Sequence, residues 1–224
     1  SATMVVFNIQ PEQPVVTPPT VMMCSGDPAV LLTASGSGGG AGTATQSSGT
    51  ISLVIPDNSS AGLNHTLTIG GVPNGAAIDS VIVTFNITHA FSGDVEVNLE
   101  APNGQIINLE ADQGSTSALG FVNTRATSNT SFPAFATGSN PFTATFKADA
   151  NAQANLIGSP AVTTQTFSNL FSMINGGWKI RVYDDFNNDL GTLVNWSIKI
   201  NYHLPAVSYT WSPNGSGAGL FTDM

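Results

Sequence analysis

Residues Gly93 to Gly104, GDVEVNLEAPNG, and Gly177 to Ile200, GWKIRVYDDFNNDLGTLVNWSIKI, are two β-ladder segments whose reading decides the fold. In the first, Val95, Val97 and Leu99 alternate with Asp94, Glu96, Asn98 and Glu100. A period of two sends alternate side chains to opposite faces of a strand, so the apolar set is expected inward and the carboxylates outward. Pro102-Asn103-Gly104 then supplies a fixed φ and a residue tolerant of positive φ before Ile106, Ile107 and Leu109 open another apolar run, which predicts a hairpin. In the second segment Trp178, Ile180 and Val182 face one way and Lys179, Arg181 and Tyr183 the other, and Val194, Trp196, Ile198 and Ile200 repeat the pattern. Between the two runs lies an acidic, amide-rich loop.

Composition agrees with this reading. The chain has 224 residues, 23 Gly, 13 Pro and only 8% charged residues, against roughly 25% in an average soluble domain. No stretch of a dozen residues carries a 3.6-residue apolar period, so helices should be few and the class is all-β. The length allows one sizeable core plus additional pieces.

Several separated motifs, in order, resemble the P domain, also called the Homo B domain, of proprotein convertases and related subtilisin-like serine proteases. The resemblance runs from about Gly49 to His203. It includes Ile55-Pro56-Asp57-Asn58, Ile87-Thr88-His89 before Gly93-Asp94, the Gly177-Trp178 pair, the Asp loop, Asp189-Leu190-Gly191 and the final Trp196 strand. One departure stands at Phe146-Lys147-Ala148-Asp149-Ala150, where the family usually has a carboxylate-rich stretch. The resemblance implies a jelly-roll, galactose-binding-like β-sandwich, and a role beside a subtilisin-like serine endopeptidase domain in the same polypeptide.

The flanks carry a second resemblance. The stretch from Val21 to Ala34, VMMCSGDPAVLLTA, is similar to the first half of immunoglobulin-like or PKD-like repeats common in large secreted proteins of Bacteroidota, and Val207 to Pro213, VSYTWSP, to the strand that follows it. The expected organisation is a tail at 1–13, the first part of an immunoglobulin-like module at 14–36, a Gly/Ser/Thr linker at 37–48, the P-type domain at 49–203 and the continuation of the immunoglobulin-like module at 204–224. The P-type domain would then be inserted into the repeat, which is easy where a domain's termini meet at its surface. Two truncated neighbouring modules are the alternative. The start at Ser1 reads as a cut through a longer polypeptide.

Charge excludes several partners. The formal net charge is −9, and the five cationic residues, Arg125, Lys147, Lys179, Arg181 and Lys199, all lie in the second half. Such a chain repels phosphate backbones and anionic membrane surfaces, so no nucleic acid is expected as a partner. No apolar run approaches the roughly 20 residues of a membrane span, so no membrane insertion is expected either. Cys24 is alone and reads as a buried small hydrophobe.

Catalytic candidates are sparse. His65, His89 and His203 are the only groups with an unperturbed pKa near neutrality. His89 matches the family's structural histidine, and nothing resembles a nucleophile elbow or a subtilisin-type motif. No catalytic residue and no enzymatic activity are expected.

Metal binding is better supported. Asp184, Asp185, Asn187, Asn188 and Asp189 crowd oxygen donors into six residues, which suits Ca²⁺. Asp185-x-Asn187-x-Asp189 matches the first half of an EF-hand loop, but Leu190 stands where the turn needs Gly and Trp196 where the bidentate Glu belongs. A different calcium site could form from Asp184, Asp185, Asn187 and Asp189 with Asp94 and Asp57, or with Glu96 and Asp149, as donors from elsewhere. The alternative is that Asp and Asn populate a tight turn. For Asp94, Glu96 and Glu100 a further role is cross-strand pairing with Lys179, Arg181 and Lys199.

Three functional readings follow. The first is a non-catalytic structural or interaction module of a large secreted or cell-surface protein, in contact with neighbouring domains of the same polypeptide or with adjacent chains of a surface assembly, as in adhesion. The second is an accessory domain stabilising a subtilisin-like serine endopeptidase. The third is carbohydrate binding, with Phe91, Phe186 and Tyr183 as exposed aromatics and Phe132, Phe135, Phe142 and Phe146 as core or loop anchors.

Overall fold

The structure, a computed structural model, describes residues 15–17, 28, 31, 33–35, 39–114, 119–151 and 162–205. The chain divides into two units, one of Ala41–His203 and one formed by Ser1–Gly40 with Leu204–Met224. In the latter, β1 (Val15–Thr17) pairs antiparallel with β2 (Thr33–Ser35), and the Leu204 N–H donates to the Gly40 carbonyl at 2.9 Å. Cys24 and the Val207 to Pro213 strand motif lie outside the described residues.

The Ala41–His203 unit is all-β. Its strands are β3 (Ala41–Ser47), β4 (Leu53–Ile55), β5 (Leu63–Ile69), β6 (Ala77–His89), β7 (Val95–Glu100), β8 (Ile106–Ala111), β9 (Phe121–Thr127), β10 (Thr145–Lys147), β11 (Gly176–Asp184) and β12 (Gly191–His203). They form two sheets. The first has the order β10-β9-β6-β12-β3, with β4 beside β12, and the second the order β5-β11-β7-β8. Pairing is antiparallel except between β9 and β10. The ends of the unit are strand neighbours, because Ala41 is the register partner of His203.

The core lies between the sheets and follows from the alternation. On β6, Val81, Val83, Phe85 and Ile87 are fully buried, and on β11 Trp178, Ile180 and Val182 meet them from the opposite sheet. Fully burying each such aliphatic or aromatic side chain contributes about 1.5–3 kcal/mol against the entropy of ordering it. One end of the sandwich is closed by phenylalanines. Phe121 stacks on Phe142 at 5.2 Å, and Phe135 on Phe146 at 4.5 Å. These three anchors beside Phe121 are core as expected, whereas Phe132 is exposed.

Four local expectations are corrected. Residues 41–47, read as part of a linker, form β3, whose backbone groups find their partners on β12 from Ser197 to His203. A strand this poor in apolar residues leaves little trace in composition, because its ladder is completed by residues about 150 positions away. On β12 a bulge between Leu193 and Asn195 resets the alternation, so Leu193 joins Trp196 in the core while Val194 does not. Tyr183, expected on an outward position, is fully buried. Its ring lies against Gly62, where a Cβ would stand 2.4 Å from the ring carbons and where φ is +55°. Only glycine suits that turn.

The fourth correction concerns β7. Glu96 and Asn98, expected in solvent, are buried, as are Asn108 and Glu110 on β8. The free edge of β8 is also covered: Asp149 N–H donates to Leu109 O (3.1 Å), Ala150 N–H to Asn108 O (3.0 Å), and Thr163 N–H to Ile106 O (2.9 Å). An edge strand so paired offers no bare ladder. Glu100 alone of the three expected carboxylates makes the cross-strand ion pairs. It accepts from Lys179 Nζ at 3.1 Å and from Arg181 Nε at 2.6 Å. Lys199 sits on β12 in the other sheet, out of reach of β7.

Candidate functional site

The acidic loop between β11 and β12 meets two other segments, around Asp57-Asn58 and Asp94. Asp185 N–H donates to the Asp94 carbonyl (3.0 Å), Asn188 N–H to Asp57 Oδ2 (3.3 Å), and Asn58 Nδ2 to Asn187 Oδ1 (2.7 Å). Asp94 is pushed up to about 6 by burial first, then by the neighbouring Asp189 carboxyl and the charges of Asp185 and Asp184. The fold therefore brings Asp57, Asp94, Asp184, Asp185, Asn187 and Asp189 to one region, where loop N–H groups engage Asp57 and Asp184 and Asn58 engages Asn187.

Asp184 turns inward. Its Oδ1 accepts from Phe186 N–H (3.2 Å), and its Oδ2 lies 3.2 Å from His89 Nε2, both side chains being sealed from solvent. The two atoms are close but not aligned as a hydrogen bond, and neither has another partner. His89 Nδ1 lies 2.7 Å from the Phe91 carbonyl and 3.3 Å from the Phe91 N–H, so the Phe91 backbone fixes the ring. Burial raises the Asp184 carboxyl, with Phe186 N–H and His89 opposing the rise. Gly191 makes room for this pair, since a Cβ there would stand 2.2 Å from His89 Cδ2 and 2.9 Å from Ile55 Cδ1. The glycine of Asp189-Leu190-Gly191 is thus a packing requirement.

A second polar group occupies the outer face of β7 and β8. Asn98 is the register partner of Asn108, and Asn98 Nδ2 donates to Glu96 Oε1 at 2.7 Å. Glu110 Oε1 accepts from Gln113 N–H (3.1 Å), and Asp149 Oδ2 from Ala111 N–H (3.3 Å). Asn98 Oδ1, both side-chain atoms of Asn108 and Glu110 Oε2 are buried without a hydrogen-bond partner. Burial pushes Glu96 up to about 7, with Asp112 and Asp185 adding to it and Asn98 opposing. Glu110 is raised well above the carboxylate range by burial, against the Gln113 N–H, with Asp149, Asp112 and Glu96 adding repulsion. Asp185 is raised by burial and then by Asp112 and Asp184, which links this layer to the acidic loop.

Glu96 and Asp149 were expected as donors from elsewhere. Asn98, Asn108, Glu110 and Asp112 were not. Their signal was present as a second polar alternation, Asn108 and Glu110 against Ile107 and Leu109; Asn108 is the register partner of Asn98, while a bulge sets Glu110 opposite Val97. Among the described residues, no three His, Cys, Asp or Glu side chains form a group that could hold a metal ion by themselves.

The histidines serve structure. His65 Nδ1 accepts from Trp196 Nε1 at 2.9 Å, His203 Nδ1 lies 2.5 Å from Asp79 Oδ1, and His89 is committed as above. Of the three aromatics expected as a sugar platform, Phe186 is exposed, Phe91 is partly buried and Tyr183 is inside. Among the described residues no helix is long and apolar enough to cross a membrane.

These features define an all-β sandwich domain whose polar groups are concentrated at one end and on one outer face. The family model of the proprotein convertase P-domain matches residues 78–200, more than half of the chain, and the chain belongs to that family. It is a domain associated with proteases. The chain is 27% identical over 149 residues to leupeptin-inactivating enzyme 1 of Streptomyces exfoliatus, a match covering 66% of this chain and 24% of that protein. Two solved structures are similar over 73% of this chain and 27% of theirs. They are the Aeromonas sobria serine protease with its chaperone ORF2 (TM-score 0.45, 14% identity) and the serine protease of Aeromonas sobria alone (TM-score 0.39, 12% identity). The chain thus spans about a quarter of the length of these proteins.

Proposed function

We propose that this chain is a non-catalytic structural and interaction module of a larger secreted or cell-surface polypeptide. The observation that carries the reading is the commitment of all three histidines to structural partners, Asp184 and the Phe91 carbonyl, Trp196, and Asp79, inside a P-domain fold. Function must be argued from a site, and the described residues offer no assembled acid–base and nucleophile set in support of catalysis. Register pairing of Ala41 with His203 brings the ends of the unit together, which supports insertion of the P-type domain into a flanking immunoglobulin-like repeat.

Membership in a protease-associated family favours a second reading, in which the domain stabilises a serine endopeptidase carried by the same polypeptide. Two measurements separate the readings. Purified chain incubated with a fluorogenic peptide library from pH 6 to 9 should show no turnover, and turnover blocked by a fluorophosphonate would overturn the non-catalytic reading. Deleting residues 41–203 from the full polypeptide should leave any peptidase activity and its thermal half-life unchanged. Loss of that activity would establish the second reading.

A further inference from the structure

We propose that β3 is an interaction edge whose partner is β3 of a second copy of this chain, so that two chains join their β10-β9-β6-β12-β3 sheets through an antiparallel β3–β3 ladder. The contact stands whichever role the module serves.

Half of the β3 backbone is unused. The Ser48 N–H donates to the Trp196 carbonyl and the Leu204 N–H to the Gly40 carbonyl, both at 2.9 Å. These bonds bracket a ladder in which Gly42 stands opposite Tyr202, Ala44 opposite Ile200 and Gln46 opposite Ile198. Hydrogen-bonded and non-bonded pairs alternate along an antiparallel ladder, so the even-numbered residues from Gly40 to Ser48 bond to β12. The N–H and C=O groups of Ala41, Thr43, Thr45 and Ser47 therefore point away from β12, and among the described residues they have no backbone partner. Other edges are closed. β8 is paired by Asp149, Ala150 and Thr163, and on β10 the Lys147 N–H donates to Pro133 O at 2.9 Å. β3 also lacks the devices that usually protect an edge, since it holds no charge, no proline and no bulge. All of its residues except Gly42 and Ala44 are exposed.

The strand's own sequence names the occupant. Ala41-Gly42-Thr43-Ala44-Thr45-Gln46-Ser47 is nearly symmetric about Ala44. Antiparallel pairing of two copies about that residue sets Thr43 opposite the partner's Thr45 and Ala41 opposite the partner's Ser47. These are the residues whose backbone groups are free, and each such pair exchanges two hydrogen bonds. Thr–Thr is a favourable cross-strand pair. Gly40 and Gly49, where the partner strand would run past the ends, leave open space, because a Cβ at either would meet nothing within 4 Å. A net charge of −9 opposes association in general, but residues 28–56 contain no Asp, Glu, Lys or Arg, so this strip escapes the repulsion of like charges in contact. An edge contact of seven residues a side is small, which makes the dimer transient and dependent on local concentration.

The test is sedimentation equilibrium of the whole chain at pH 7.5, from about 20 μM to about 1 mM. The expected result is a mass that rises with concentration from one chain toward two. Thr45→Pro removes a free N–H without touching the β12 ladder, and it should weaken self-association at least ~10-fold. An unchanged circular dichroism spectrum checks its fold. A second pair of variants leaves the backbone intact. Thr43→Lys with Thr45→Lys sets lysines opposite lysines and should keep the chain single, as should Thr43→Glu with Thr45→Glu, whereas mixing the two should restore a dimer holding one chain of each. A native chain that keeps the mass of one chain at the highest concentration would overturn the proposal. So would unchanged association of Thr45→Pro, or failure of the mixed variants to pair, either of which would move the contact away from β3.

Discussion

His89 on β6 and Asp184 on β11 belong to different sheets, yet their side chains approach to 3.2 Å in a place sealed from solvent. The pair clasps the two layers at the end where the acidic loop begins. Removing Asp184 leaves His89 Nε2 and the Phe186 N–H without that neighbour, which typically costs about 1–3 kcal/mol for buried polar groups. Asp184→Ala should therefore lower unfolding stability by about 2 kcal/mol in urea denaturation at pH 7, and a loss below about 0.5 kcal/mol would show that the contact contributes little.

Gly191 is sized by that same histidine. Adding a methyl group at a position 2.2 Å from the His89 ring forces the ring or the strand to move, and overpacking of this kind costs about 1–3 kcal/mol. Gly191→Ala should be destabilising in the native background and less so with His89→Ala. A double-mutant cycle reads the coupling directly, and additive effects would contradict it.

Glu100 gives the pH dependence a definite sign. Burial alone would raise its carboxyl, but hydrogen bonds and charges from Arg181 and Lys179 outweigh burial and hold it below the ordinary value of 4.5. A depressed folded pKa contributes stability that is present above the unfolded pKa and is lost as pH falls through the folded pKa. Glu100→Gln should thus cost about 1 kcal/mol at pH 7, and the difference from the native chain should shrink as acid takes the pH below 4.5 and on through the folded value. Paired denaturant titrations from pH 7 to 3 measure this, and a difference that grows in acid would refute it.

Trp196 spans two roles, a core ring and a donor to His65 Nδ1 at 2.9 Å. Trp196→Phe removes both the hydrogen bond and part of the core volume, which should lower stability by about 2–4 kcal/mol. His65→Ala should cost only the bond, about 1 kcal/mol. Equal losses in the two variants would mean that the ring volume is unimportant.

What the sequence disclosed depended on where each residue's neighbours come from. β6, β11 and most of β12 are half-buried strands, so Val81 to Ile87 and Trp178 to Val182 display the period directly. The family motifs gave the same answer by resemblance. On β7 and β8 the polar residues also alternate, and that alternation normally means solvent. Their outer face is nevertheless buried, and the edge of β8 is paired by Asp149, Ala150, Thr163 and Thr164, all distant in sequence. No local pattern reports such a cover. Tyr183 was misread for the same reason, since Gly62 lies over it from 121 positions upstream. The acidic loop was the readable part of the candidate site. Asp57 and Asp94 do join it, but Asn98, Asn108 and Glu110 could be connected only once the register of β7 and β8 was known.

The pairing of Ala41 with His203 also sets how the unit would respond to load. Its two ends leave side by side from antiparallel neighbours, so tension between the flanking segments would open the β3–β12 ladder one rung at a time, from His203 toward Ser197. Rungs broken in succession resist far less than rungs sheared together. A surface protein carrying this unit would therefore possess a segment that pays out length at low force, with β3 peeling first from an edge position that leaves the remaining ladder of β12 with β6 in place.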